Sequence, residues 1–120
     1  MSDTNAMSQF ILLVKGGYEV TSTFTPEEAQ QNTAKYRAWA QKLAQQELLV
    51  DAFKLKDDGG RLMSIRHQQI VVDGPLAETR ETIGGYFIIR ATSYEAAIEL
   101  AKECPIFAED GSIEVRQIEL

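Results

Sequence analysis

Apolar positions fall into short runs broken by polar and glycine punctuation, and the spacing inside the runs changes along the chain. Residues 10–14 are continuously apolar, the pattern of a strand buried on both faces, and Lys15-Gly16-Gly17 ends the run. Residues 18–24 predict a connection and nothing more definite. Next comes a helical period. Tyr36, Trp39, Ala40 and Leu43 share one face, while Gln31, Lys35, Gln41, Lys42 and Gln45 occupy the other. Thr25-Pro26-Glu27-Glu28 supplies its start: a threonine cap, a proline suited to the first helical position and a glutamate that completes a capping box. A helix running to about Gln46 and lying on a sheet is expected, with Trp39 as a core anchor or as an aromatic at a pocket mouth.

Residues 48–55 predict a strand with Leu49, Asp51, Phe53 and Leu55 on one face, followed by a turn at Asp57-Asp58-Gly59-Gly60. Residues 61–65 and 69–72 give two more short strands or one bent one, and residues 86–91 give an apolar strand. Ser93 caps a second helix. Its buried stripe is Tyr94, Ala97, Ile98, Ala101 and Cys104; Glu99 and Lys102 can pair on the wet side, and Pro105 stops it. After a loop at 107–111, Ile113 and Val115 alternate with Glu114 and Arg116 in a half-exposed last strand.

The order β, α, β, further β, β, α, β predicts an α+β sandwich of the ferredoxin-like plan. Both helices lie on one face of an antiparallel sheet. Apolar alternation would leave the other face exposed, so a homodimer packed face to face through the sheets is expected, with the sites near that interface.

The most unusual stretch joins two strands at residues 70–86. An apolar run stops at Asp73-Gly74-Pro75, polar Glu78-Thr79-Arg80-Glu81 follows, and Gly84-Gly85 opens the next run. Pro75 lacks an amide proton and fixes its own φ, so no central strand passes through it. Asp73 either braces its own turn through backbone amides or presents a carboxylate beside a concave surface. Glu78 and Thr79 either belong to a site or cap a short helix.

Length and charge narrow the function. The 120 residues suit one domain, residues 9–120, preceded by a loose tail at 1–8. A net charge of −6 argues against sequence-independent nucleic-acid binding and against an anionic membrane surface. Apolar runs of five or six residues are far too short to span a membrane, and no basic region with an apolar stretch precedes Phe10, so no secretion signal is expected. The lone Cys104 excludes an internal disulfide framework and suits a reducing cytoplasm.

One histidine and one cysteine make no zinc-type ligand set, and no glycine-rich phosphate loop or serine elbow is found, so no metal or cofactor is expected. Acid–base chemistry by a carboxylate is what remains. Asp73 leads, Glu78 comes second, and His67 is either a partner or a solvated turn residue. Gly74, Pro75, Glu78, Thr79 and Arg80 are the candidate binding residues; Arg66 or Arg80 either holds a small anionic carboxylate ligand or is simply surface charge.

The run Asp73-Gly74-Pro75-Leu76-Ala77-Glu78-Thr79-Arg80-Glu81, with Gly84-Gly85-Tyr86, resembles the signature of the YCII-related proteins, also called the DGPF-domain family. Residues 10–14, the helix opened by Ser93-Tyr94-Glu95-Ala96-Ala97 and the closing strand 111–116 fit the same family. Leu76 stands where the family usually has Phe, and Arg80 where it has Lys. Arg66-His67-Gln68-Gln69 lacks the glycine common in the preceding turn. The resemblance implies a ferredoxin-like fold. It also implies either a small cofactor-free lyase or isomerase acting on a ring acid or lactone, with Asp73 shuttling a proton, or a non-catalytic dimeric binding or regulatory module.

Overall fold

A computed structural model describes residues 7–120. Residues 1–6 of the expected tail lie outside the described residues, and Ser8 already pairs with Ala91. The order is β1 (Ser8–Lys15), α1 (Tyr18–Thr21), α2 (Pro26–Gln45), β2 (Leu49–Lys54), β3 (Leu62–Arg66), β4 (Gln69–Asp73), β5 (Ile83–Ala91), α3 (Tyr94–Ala101) and β6 (Ser112–Ile118), with a 3-10 turn at Pro105–Glu109 before the last strand. Four strands form an antiparallel sheet in the order β2-β5-β1-β6; β3 and β4 form a separate hairpin.

Strand alternation builds the core. Phe10, Leu12 and Val14 of β1 face the helices with Ile89 and Ala91 of β5, and they close on Trp39 and Leu43 of α2 and on Ala97 and Ala101 of α3. Both helices therefore cover one face. Trp39 is a core anchor, with its ring edge on Phe87 at 4.6 Å between centroids. β1 is buried fully on this face only. Ile11 and Leu13, half-buried, lie on the open face opposite Ile88 and Tyr86.

Helix α2 starts where its capping box demands. The Thr25 hydroxyl accepts from the Glu28 amide at 3.1 Å, and the Glu28 carboxylate accepts from the Thr25 amide at 3.0 Å. Ser93 caps α3 in the same way, accepting from the Ala96 amide at 3.1 Å. The expected α3 stripe is narrower than its spacing suggests: Tyr94 and Ile98 are each 42% exposed. The Tyr94 ring meets Phe10 edge-on at 5.0 Å and its hydroxyl accepts from the Gln117 amide, so it clasps the edge of the sheet.

Strand β2 departs from simple alternation. A bulge between Leu49 and Asp51 sets Leu49 opposite Ile89, on the core side, and Asp51 and Phe53 opposite Ile88 and Tyr86, on the open side. One extra residue is enough to flip every following side chain. Residues 18–21 form a single helical turn after Gly17, and the 3-10 turn at residues 105–109 takes up the first part of the loop expected at 107–111. No helix among the described residues is long and apolar enough to cross a membrane.

Candidate functional site

The central stretch forms the base and one side of the β3–β4 hairpin. Its two-residue turn is His67-Gln68, both at positive φ (50° and 67°). Such a turn matches strand twist but normally recruits Asn and Gly. Asp73 pairs with Leu62 at the far end of β4, about 13 Å of strand from the turn, so the hairpin holds His67 and Asp73 apart. The partner of the Asp73 carboxylate is the Arg66 guanidinium, at 3.3 Å. Gly74, at φ 133°, is where the chain leaves the hairpin, and a Cβ there would meet the Gly60 carbonyl at 2.6 Å. The Leu76 amide donates to the Gly59 carbonyl at 3.0 Å. The two glycine corners, 59–60 and 74–75, are thus stitched together at the hairpin base.

Thr79 closes its own turn. Its amide donates to the Thr82 hydroxyl at 2.8 Å, and its hydroxyl accepts from the Glu81 amide at 3.1 Å; no helix forms there. Arg80 reaches Asp110 at 4.0 Å with both side chains largely in solvent, a contact of little energetic weight. Of the sequence candidates, Glu78, Thr79 and Arg80 line a small hollow beside Glu109, and Glu78 alone also lines a larger concave surface.

That surface is a cleft of about 660 Å³ between residues 29–40 of α2 and the end of the sheet. Its walls are Val14 and Phe87 from the sheet, Phe24 and Ala40 from the helical side and Ile106 from the 3-10 turn, with Arg37, Lys54 and Glu78 adding charge. Glu109 also lines it and is 5% exposed. The Tyr36 hydroxyl donates to Glu109 Oε2 at 3.1 Å, while Oε1 is buried with no partner among the described residues. A buried carboxylate oxygen without a donor is costly and calls for one.

Burial first, and the Glu109 carboxylate second, push the Tyr36 phenol well above its ordinary value, so it keeps its proton and serves as a donor. Burial also pushes the Cys104 thiol up to about 11, with Glu109 adding to the shift; a protonated thiol is no nucleophile. Gly17 lets the carboxylate in: a Cβ there would sit 2.9 Å from Glu109 Oε2.

Sequence reasoning missed Glu109 because it stands in a stretch that reads as a solvated loop, and it assigned Tyr36 to the core stripe. The signal to be had was Pro105 beside Ile106, which predicts an ordered turn able to bury the residues after it.

The YCII-related domain matches residues 9–120, most of the chain. No curated protein matches it. With its Asp-Gly-Pro corner, its four-stranded antiparallel sheet and a match of this extent, the chain belongs to the YCII-related family.

Proposed function

We propose that this protein binds a small ring acid or lactone in the cleft beside α2 and moves a proton on it, as a cofactor-free lyase or isomerase. One observation carries this: in the wall of a largely apolar cleft, a buried carboxylate rests one oxygen on a tyrosine hydroxyl and leaves the other without a donor. Glu109 is the proton carrier, the Tyr36 hydroxyl holds its Oε2 and leaves Oε1 to take the proton, and Arg37 or Lys54 meets the ligand's carboxylate. Asp73, tied to Arg66 on the hairpin, acts in this reading through the shape of the hairpin base rather than on the ligand.

The assembly is a homodimer of ferredoxin-like sandwiches joined through the open sheet faces. The strand order β2-β5-β1-β6 and the apolar centre of the open face, Ile11, Leu13, Tyr86 and Ile88, support it. A cytoplasmic setting fits the single buried thiol.

The test is ligand C–H exchange in D2O followed by proton NMR, using small ring carboxylic acids and lactones. Exchange that is lost in Glu109→Gln supports proton transfer. Binding without exchange would leave the alternative, a non-catalytic ligand-binding module. The contacts that hold Asp73 to Arg66 across the hairpin and Thr79 within its own turn favour that alternative.

A further inference from the structure

Of the ring acids and lactones that the cleft is read to hold, we infer that it selects a monocarboxylate. The acid group lies on Arg37, and a hydrogen-bond donor on the far side of the ring, a hydroxyl or an amine, faces Glu78. This rests on a ring acid occupying the cleft and not on proton transfer.

Most polar groups of the cleft are already engaged. The Lys54 ammonium donates to the Asp57 carboxylate at 3.0 Å and to the Leu55 carbonyl at 3.1 Å, and Asp57 is paired by the same contact. Two wall hydroxyls bond close by in sequence: Thr33 donates to the Ala29 carbonyl at 3.1 Å, and Thr82 accepts from the Thr79 amide at 2.8 Å. Arg37 and Glu78 also line the cleft, and neither has a hydrogen bond or an ion pair among the described residues. One cation and one carboxylate, besides Oε1 of Glu109, are therefore left for a ligand.

The two stand at different ends. Glu78 and Glu109 line both the cleft and the small hollow, whereas Arg37 lines the cleft alone. Arg37 follows Tyr36 on α2, about 100° further round the helix, and is exposed. It makes a positive rim, and half-buried Glu78 with buried Glu109 makes a negative end. Arg80 lines the hollow but not the cleft, and reaches out to Asp110. A guanidinium fork takes a carboxylate on two bonds, so the acid end seats on Arg37. Phe24, Phe87 and Ile106 supply apolar wall for the ring. A second carboxylate at the far end would meet like charge with no unpaired cation of the cleft beside it, whereas a donor there finds an acceptor in Glu78. A neutral lactone or ester gives Arg37 a weaker partner.

The experiment is calorimetric titration of the full chain with 3-hydroxybenzoate, benzoate, isophthalate and methyl 3-hydroxybenzoate. Fluorescence of Trp39, the one tryptophan, gives a second readout, because its ring rests on Phe87 in the cleft wall. The hydroxy acid should bind tightest, with each of the other three weaker by on the order of 10-fold. Arg37→Gln should remove the preference for acid over ester, and Glu78→Gln should remove the penalty on isophthalate. Three results overturn the inference: no binding of any of the four, tightest binding of isophthalate or the ester, or a loss of acid binding in Lys54→Gln that exceeds the loss in Arg37→Gln. Proton exchange and its loss in Glu109→Gln are read separately. Exchange without this selectivity ends the inference and keeps proton transfer, and selectivity without exchange does the reverse.

Discussion

The Tyr36 hydroxyl and the Glu109 carboxylate, 73 residues apart in sequence, meet at 3.1 Å in the wall of the cleft. Tyr36 comes from the middle of α2 and Glu109 from the end of the 3-10 turn. The bond therefore joins the helical layer to the corner that precedes β6. A carboxylate and a phenol so placed form a paired acceptor and donor in the wall of the cleft.

Glu109→Gln removes the proton acceptor while keeping shape and a hydrogen-bonding side chain. Proton exchange on a bound ring acid should fall by roughly 10²-fold or more, whereas Asp73→Asn should change it only a few-fold. Single-turnover NMR exchange rates for the two variants check this. The reverse ranking would return the chemistry to the Asp-Gly-Pro corner.

Gly17→Ala should damage the site from a distance. Gly17 sits at φ 82°, where a side chain is strained, and its Cβ would meet Glu109 Oε2 at 2.9 Å. A loss of about 1–3 kcal/mol is expected from the two effects together. Thermal unfolding reads the loss. A spectrophotometric titration should also show the Tyr36 phenol moving back toward its ordinary value as the carboxylate leaves it.

The hairpin turn is a place to gain stability. Replacing His67 by Asn and Gln68 by Gly gives both positive-φ positions residues that accept them, and should stabilise the hairpin by about 1 kcal/mol. Slower hydrogen exchange of the β3 and β4 amides is the measurement. No change would mean that the hairpin is ordered by contacts outside its turn.

Alkaline pH should loosen the corner around Glu109. The Cys104 thiol stands at about 11 in the fold against 9.0 ordinarily, and the Tyr36 phenol is raised as well. Between those thiol values the unfolded chain has lost a proton that the folded one keeps. Stability from this group is thus complete below pH 9.0 and is lost as pH rises through about 11. Denaturant melts across that window should show a falling midpoint, and Cys104→Ser should flatten the fall. Iodoacetamide should label the native thiol far more slowly than the unfolded one.

Much of the architecture was legible locally. Thr25 and Glu28 set the start of α2 by bonds within one turn of chain, and Trp39 and Leu43 declare the buried side by period alone. The run 10–14 names the central strand, and Ser93 the start of α3. The Asp-Gly-Pro corner was readable because proline and glycine restrict backbone angles wherever they occur.

What the linear pattern could not carry depends on residues far apart. The bulge after Leu49 is a mismatch between two strands, and it alone sends Phe53 away from the core. Glu109 is buried because Gly17, Tyr36 and Ile106 converge on it, and no neighbour in sequence announces that. Periodicity and capping act through bonds three or four residues long, so the chain by itself fixed its helices, its corners and most of its strands. The cleft and the separation of Asp73 from His67 arise from contacts that exist only once distant segments have packed, and the folded structure decided those.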